Sequence, residues 1–171
     1  MRITEMLGKP VVSADTGEKA GHVEEVLLDA SHHHAVGVLV SDGVLSHQRV
    51  LPFGDVQTVG ADTLIVRTVS TICDATAWIA EGRAAHRSSE LRGKAVVTSD
   101  GVRAGRIDDL VAEDDTGAVT ALELASRKRA ARRTIVLVLD DLELTHEVVV
   151  VRPAALVHSN EPRRAKRRQA S

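Results

Sequence analysis

Hydrophobic and polar positions alternate in short runs along most of the chain, a pattern typical of β-strands with one face in a core. In the first half this pattern predicts strands at 9–13, 21–28, 35–40, 48–51 and 63–66. Turns rich in Gly and Asp separate the strands, and Pro52, which cannot donate to a β-ladder, marks a strand end. Many short, evenly spaced strands predict a small closed or nearly closed barrel.

The pattern occurs twice. Segment 7–17 returns at 91–101, and its continuation 21–29 returns at 105–113. The copies are offset by 85 residues up to the first turn and by 84 after it. Two tandem copies of one β-module are therefore predicted, and repeated modules typically bind rather than catalyse. Because modules of about 70 residues are marginal alone, we expect the copies to share an interface or a packed connector.

A connector interrupts the strand pattern at 74–85, where the sequence predicts a short helix with Asp74 as its N-cap. Trp78, the single tryptophan, is expected to pack this helix onto a barrel; the alternative is an exposed residue that binds a partner. The predicted organisation is a first barrel at 1–69, a connector at 70–89, a second barrel at 90–157 and a disordered basic tail at 158–171.

The second copy diverges after residue 124, where a basic insertion replaces the corresponding Gly-containing turn of the first copy. Further strands are predicted at 135–139 and 147–151. Residues 152–157 resemble 51–56 in residue type. With that alignment, the second copy lacks the final strand of the first.

Composition restricts the class of protein. The chain has 171 residues, of which 43% are hydrophobic and 27% charged, as in soluble globular proteins. No run is long enough to span a membrane, and the first residues lack a signal-peptide pattern. A single cysteine, Cys73, excludes an intrachain disulfide and favours the cytoplasm. Arg outnumbers Lys 17 to 5, which suggests a GC-rich bacterial genome.

The net charge of −2 hides an asymmetry between the halves. Residues 1–85 carry six basic and eleven acidic side chains, whereas residues 86–171 carry sixteen and thirteen. Two basic segments supply the candidate partner contacts, which are Arg127, Lys128, Arg129, Arg132, Arg133, Arg163, Arg164, Lys166, Arg167 and Arg168. They suit RNA, a ribosome or an anionic membrane surface; the alternative is a solubilising tail and loop without a specific partner. With one Trp, one Phe and no Tyr, the chain lacks a platform for base stacking.

Three other groups are weighed for chemistry. The acidic doublets 24–25 and 108–109 lie on predicted strands, so the neighbouring carboxylates point to opposite faces and do not form a paired acid and base. The run 32–34 is three consecutive histidines, which cannot all bind one metal ion, and the second copy has none there. Cys73 has no neighbouring base to lower its pKa. We therefore expect no catalytic, cofactor or metal site, no small-molecule substrate and no enzymatic activity.

The repeated features resemble the PRC-barrel family. They are the Gly-Lys-x-Val-Val opening, the later Gly-x-Val/Ile followed by two acidic residues, the third strand, and the segment 50–56. The resemblance covers most of 3–67 and, equally well, 90–124. It implies two tandem PRC-type β-barrels joined by a short helix, in a mostly β protein. Members of the family occur in the H subunit of photosynthetic reaction centres and in ribosome maturation factor RimM, which implies a module that docks on other macromolecules.

These observations predict a non-enzymatic cytoplasmic adaptor that docks on a larger protein complex. Barrel surfaces would supply specificity, and the basic segments would supply electrostatic steering. The alternative is an RNA- or ribosome-associated factor, and a third possibility is a peripheral membrane protein. Self-association into a homo-oligomer is also left open.

Overall fold

The structure is a computed structural model and describes residues 1–31, 33–43, 48–83, 86–125, 133–137, 143–144 and 148–159. Over these residues the protein is mostly β, with two curled sheets of eight and seven strands. Each sheet is built mainly from one copy of the repeat. We call the copies the first module, residues 1–83, and the second module, residues 86–159.

The strands of the first module are β1 (Pro10–Ser13), β2 (Lys19–Leu28), β3 (Ala35–Ser41), β4 (Arg49–Pro52), β5 (Val56–Val59), β6 (Leu64–Val66) and β7 (Cys73–Asp74). Their order in the sheet is β5-β6-β1-β2-β3-β4-β7. All five strands predicted from the alternation are present, and β4 ends at Pro52 as expected. The short edge strands β5 and β7 were not predicted.

The strands of the second module are β9 (Ala95–Thr98), β10 (Arg103–Ala112), β11 (Val119–Ala125), β12 (Arg133–Leu137), β13 (Glu143–Leu144), β14 (Val148–Val151) and β15 (Leu156–Ser159). Their order is β13-β14-β9-β10-β11-β12-β15, which repeats the order of the first sheet strand for strand. The first strand of this module, β8 (His86–Arg87), pairs instead with the sheet of the first module.

The expected loss of the final strand in the second copy is wrong. β14 pairs parallel with β9, with Val149 opposite Val96, just as β6 pairs parallel with β1, with Ile65 opposite Val12. β14 is therefore the counterpart of β6. Likewise β15 pairs with β12 as β7 pairs with β4. The alignment of 152–157 with 51–56 fails because it rested on a shared proline, whereas equivalent positions of the two ladders are 84 or 85 residues apart.

The connector helix is confirmed as α1 (Ala75–Ala80). The Asp74 side chain caps it by accepting a hydrogen bond from the backbone N–H of Ala77 at 3.0 Å. Trp78 is 8% exposed and packs with buried side chains of β2, β3 and β4. The helix is thus held on the outer face of the first sheet, as the sequence predicted, and Trp78 is not an exposed contact residue.

The two modules exchange their N-terminal arms. The first arm, residues 1–7, contains a 3-10 helix (Ile3–Glu5); the second arm, residues 86–92, contains β8 (His86–Arg87) and α2 (Ser88–Leu91). β8 pairs with β2 of the first module, with Arg87 opposite Leu27. Reciprocally, Arg2 pairs with Val111 on β10 of the second module. Because equivalent residues make equivalent contacts, the modules are related by a pseudo-twofold axis, as in an isologous dimer.

The β2–β3 and β10–β11 turns meet on this axis. His34 pairs antiparallel with Ala118, the residue 84 positions later. The N–H of Ala35 donates to the carbonyl of Gly117 at 2.8 Å, and the N–H of Val119 donates to the carbonyl of His33 at 2.7 Å. These two hydrogen bonds join equivalent residues of the two modules, with donor and acceptor modules exchanged. They confirm that the modules share an interface.

One hydrophobic core serves both modules. It runs without a break from Ile3, Met6 and Val26 to Leu91 and Leu110, all of which are at most 1% exposed. Each arm contributes its apolar side chains to the neighbouring module's side of this core. A module of this size buries too little surface by itself, so the shared core supplies what each lacks.

Each arm also binds a buried carboxylate of the other module. The Ser88 hydroxyl donates to Glu25 Oε1 at 2.5 Å, and the same oxygen accepts from the N–H of Val26 at 2.9 Å. On the other side of the axis, the Thr4 hydroxyl donates to Asp109, whose Oδ1 accepts from the N–H of Leu110 at 2.8 Å. The inner members of both acidic doublets are therefore structural groups of the interface.

Replacing Ser88 with alanine is expected to lower the free energy of unfolding by about 1–3 kcal/mol, because the buried Glu25 carboxylate loses a donor. Chemical denaturation of the purified protein measures this change. The matched control is Ser89→Ala, since Ser89 is exposed and its loss should change stability by less than about 0.5 kcal/mol. Equal effects of the two substitutions would contradict the role assigned to Ser88.

Candidate functional site

The ends of three strands bring the basic parts of the second module together. β11 ends at Ala125, and Arg133, the first residue of β12, pairs with Ser159, the last residue of β15. The basic insertion joins β11 to β12, and the basic tail follows β15. Both segments therefore leave the sheet at the same end, although they are separated by more than 25 residues in the sequence.

The predicted contact residues fall at or beyond this end. Arg133 heads β12, where the structure describes the backbone. The remaining nine lie outside the described residues: Arg127, Lys128, Arg129, Arg132, Arg163, Arg164, Lys166, Arg167 and Arg168. The tail predicted for 158–171 has its first two residues in β15, which runs to Ser159.

Four further cations lie beside this end and were missed by the sequence reasoning. Arg106 on β10 pairs with Ala95 on one side and with Ala125 on the other, so it is next to the point where the basic insertion begins. Arg103 stands at the start of the same strand, and Lys94 directly precedes β9. We call Arg92, Lys94, Arg103 and Arg106 the basic rim.

The rim cations lie along the surface of the second module. Arg92 Nε donates to the carbonyl of Asp108 at 3.2 Å, and Arg106 Nη1 donates to the carbonyl of Gly93 at 2.7 Å. Arg92, Arg103 and Arg106 are exposed, and Lys94 is half-buried. In the described part of the chain, none of the four forms an ion pair with a carboxylate. Backbone carbonyls thus position two guanidinium groups and leave their charge available.

The equivalent end of the first module has a different charge. The positions of Arg92 and Arg106 are occupied there by Leu7 and His22, whereas those of Lys94 and Arg103 are the lysines Lys9 and Lys19. Its strand-end cation, Arg49, donates to the carbonyl of Ala20 at 2.7 Å and forms an ion pair with Asp42 at 3.2 Å. A comparison of the two copies, position by position, is the sequence signal that identifies Arg92 and Arg106 as cations present only in the second copy.

Comparison with known families gives the two modules their name. A family model described as the PRC-barrel domain matches residues 1–71 and again residues 84–158. The chain belongs to the PRC-barrel family. A search of curated proteins found no match. The family match and the two sheets confirm a tandem PRC-barrel protein of mostly β structure, with the short helical connector between the barrels.

The acidic doublets of the two PRC-barrels are split as expected. Glu24 and Asp108 are exposed, whereas Glu25 and Asp109 are buried and bound across the module interface. No pair of doublet carboxylates therefore faces one cleft. The structure places each doublet on a long strand, with one member on either side of the sheet.

Two residues of the histidine run, His33 and His34, lie at the pseudo-twofold axis of the tandem PRC-barrel. Burial alone would raise the pKa of Asp29, but hydrogen bonds from the Ser31 hydroxyl and from the N–H groups of His34 and His33 outweigh it, so this pKa is lowered. The Asp29 carboxylate organises the turn, and His34 Nδ1 lies 3.7 Å from it. Over the described residues, no three His, Cys, Asp or Glu side chains are grouped to hold a metal ion.

Cys73 has the electrostatics of an unreactive thiol. Burial raises the pKa of this thiol, and the sulfur contacts the carbonyl of Val50 at 3.6 Å. A raised pKa keeps the thiol protonated at neutral pH, which disfavours a nucleophilic role.

Among the residues with described structure, no helix combines the length and apolar character needed to cross a bilayer.

Proposed function

We propose that this tandem PRC-barrel protein is a non-enzymatic cytoplasmic adaptor that docks on a larger macromolecular assembly through the basic end of its second module. The observation that carries this proposal is the difference between equivalent ends of two modules with the same fold. The first end has Lys9, Lys19 and an Arg49 that is paired with a carboxylate, whereas the other has the four cations of the basic rim and adjoins both basic segments in the sequence.

The two modules have different tasks in this proposal. The first module supplies its arm and half of the shared core, and it carries the helix that covers its own outer face. The second module presents the charged end. The groups that resemble catalytic residues support a binding role, because Glu25 and Asp109 are committed to bonds between modules and the pKa of the Cys73 thiol is raised.

Electrostatic attraction gives such an adaptor fast and salt-sensitive association. The ten cations of the two basic segments and the four cations of the rim all lie in residues 86–171 of the sequence, so we expect the electrostatic attraction for an anionic partner to be stronger at the second module than at the first. Steering of this kind raises association rates more than it raises affinity.

A crosslinked pull-down from the native host tests the proposal. The full chain should capture an assembly that a variant with the four rim cations changed to glutamine captures at least several-fold less efficiently. The control variant carries Lys9→Gln and Lys19→Gln in the first module and should capture as much as the unchanged protein. Equal recovery by the rim variant would overturn the proposal.

A further inference from the structure

The basic rim has the properties of a binding site for a polyphosphate chain. Resting on the proposed function, we infer that its ligand is the sugar–phosphate backbone of a nucleic acid, bound without readout of the bases. The site consists of Arg92, Lys94, Arg103 and Arg106, all of which the structure describes.

Strand pairing arranges these four cations along one stretch of the second sheet. The backbone of residues 92–94 runs antiparallel to that of 106–108, since the N–H of Gly93 donates to the carbonyl of Ile107 at 2.8 Å and the N–H of Ile107 donates to the carbonyl of Lys94 at 3.0 Å. Arg103 continues the row along β10, opposite Val97. A row of cations on adjacent strands matches a ligand whose negative charges repeat along a chain.

Three of the four rim cations are arginines, and two of these are held by backbone carbonyls. A guanidinium group that donates one N–H to a carbonyl keeps further N–H donors in a fixed plane. That plane matches the oxygens of a phosphate, which can accept two parallel bonds from one guanidinium. The rim is therefore organised for phosphate contacts before a ligand arrives.

Base readout by stacking is not available at the rim. The only Trp and the only Phe of the chain, Trp78 and Phe53, are both buried in the first module, and there is no Tyr. Base stacking on aromatic side chains is a main source of affinity for proteins that bind unpaired bases. Without aromatic stacking, we expect phosphate contacts to dominate and binding to be insensitive to sequence.

The surroundings of the rim favour a nucleic acid over an acidic protein or a membrane. Protein interfaces draw most of their energy from a few buried residues, most often Trp, Tyr and Arg, and the rim supplies arginines without aromatic neighbours. Stable membrane binding needs an apolar insertion besides a basic patch. Within the described residues the exposed large hydrophobic side chains are Ile79 on α1 and Val102 beside Arg103. A single exposed valine offers little apolar surface for binding a protein or a membrane. Binding to nucleic-acid phosphates is driven by the release of counterions and requires no apolar anchor.

Fluorescence anisotropy with the full chain tests this inference. The probes are labelled 20-nucleotide single strands of RNA and of DNA, each in two unrelated sequences, with polyglutamate and phosphatidylserine vesicles as competing anions. The matched variants are Lys94→Gln/Arg103→Gln in the rim and Lys9→Gln/Lys19→Gln, which removes two charges at the equivalent positions of the first module. A third variant changes all four rim cations to glutamine.

We expect both nucleic acids to bind with similar affinity in both sequences. The slope of log K against log salt should become shallower by about 1.4 in the rim pair and by about 2.8 in the fourfold variant, at about 0.7 per lost phosphate contact on single strands. The Lys9/Lys19 pair should leave the slope unchanged. A large preference for one base sequence would overturn the inference, and so would equal slopes in all variants.

The remaining outcomes separate this inference from the proposed function. If polyglutamate or vesicles displace the probes at equal charge concentration, the rim is a general anion site and the nucleic-acid inference fails. If no probe binds but the rim variant still loses its assembly in the pull-down, the adaptor proposal stands and the inference fails. If the probes bind through the rim and the pull-down is unaffected by its loss, the adaptor proposal fails and nucleic-acid binding stands.

Discussion

Replacing Trp78 with alanine is expected to lower the free energy of unfolding by about 3–5 kcal/mol, because truncation of a buried indole leaves a cavity that the surrounding sheet cannot fill. The ring packs against Leu27, Leu39 and Val50 on the outer face of the first sheet. Arg83 lies over it, with the guanidinium carbon 4.8 Å from the ring centroid. Urea denaturation followed by circular dichroism measures the change.

Two further substitutions separate packing from polarity at this position. Trp78→Phe should cost much less than Trp78→Ala, because the indole N–H is buried without a hydrogen-bond partner in the described structure, and phenylalanine removes that donor. Ile79→Ala, on the next residue of α1, should have only a small effect, since Ile79 is 43% exposed. If Trp78→Ala left the unfolding midpoint unchanged, the helix would not be held by this ring.

Separating the chain between residues 83 and 84 is expected to leave both modules unfolded on their own. Each fragment loses the arm that covers it, together with half of the shared core. Mixed in equal amounts, the fragments 1–83 and 84–171 should regain the β-sheet circular-dichroism signal and migrate as a 1:1 complex, because the interface is built from reciprocal contacts. Size-exclusion chromatography with light scattering measures the complex.

A shortened fragment provides the control for this experiment. Fragment 8–83 lacks the first arm, and with it Ile3 and Met6, which are completely buried. It should fail to restore the signal of fragment 84–171. Independent folding of either full fragment, with cooperative unfolding in the absence of the other, would show that the modules are autonomous and that the exchange of arms is not required.

Local patterns were sufficient to predict most of the first module. The alternation of valines in β3 and the turn residues around it are short-range signals, and so is the Asp74 cap of α1. The arms could not be predicted, because their structure depends on long-range contacts rather than on local patterns. Ile3–Glu5 and Ser88–Leu91 are too short to show a helical period, and they are ordered by contacts with the other module.

The second module shows where sequence alone misleads. The run Val148–Val151 reads as a strand in any context, but its parallel partner β9 lies some fifty residues earlier, and only that pairing identifies it as the counterpart of β6. Prolines at 52 and 153 suggested a different alignment. Non-local pairing decided the topology, and residue type at one position did not.

The rim was missed because its members are scattered in sequence. Arg92, Lys94, Arg103 and Arg106 do not form a run of charges, and antiparallel pairing of β9 with β10 is what places them side by side. The runs that the sequence does show, in the insertion and the tail, lead to the same end of the sheet. The prediction of a basic contact surface therefore stays a prediction, with a described set of residues to test.

The exchange of arms has a consequence for how the protein can be oriented on its target. A dimer of two identical single modules would carry every surface twice, related by its twofold axis, and its two ends would be identical. Joining two modules in one chain keeps the reciprocal interface but lets the copies differ, so that the end of the second module carries more cations than the equivalent end of the first. The tandem chain is therefore a polar pair of modules, whose two ends differ in charge while the reciprocal interface fixes their relative orientation.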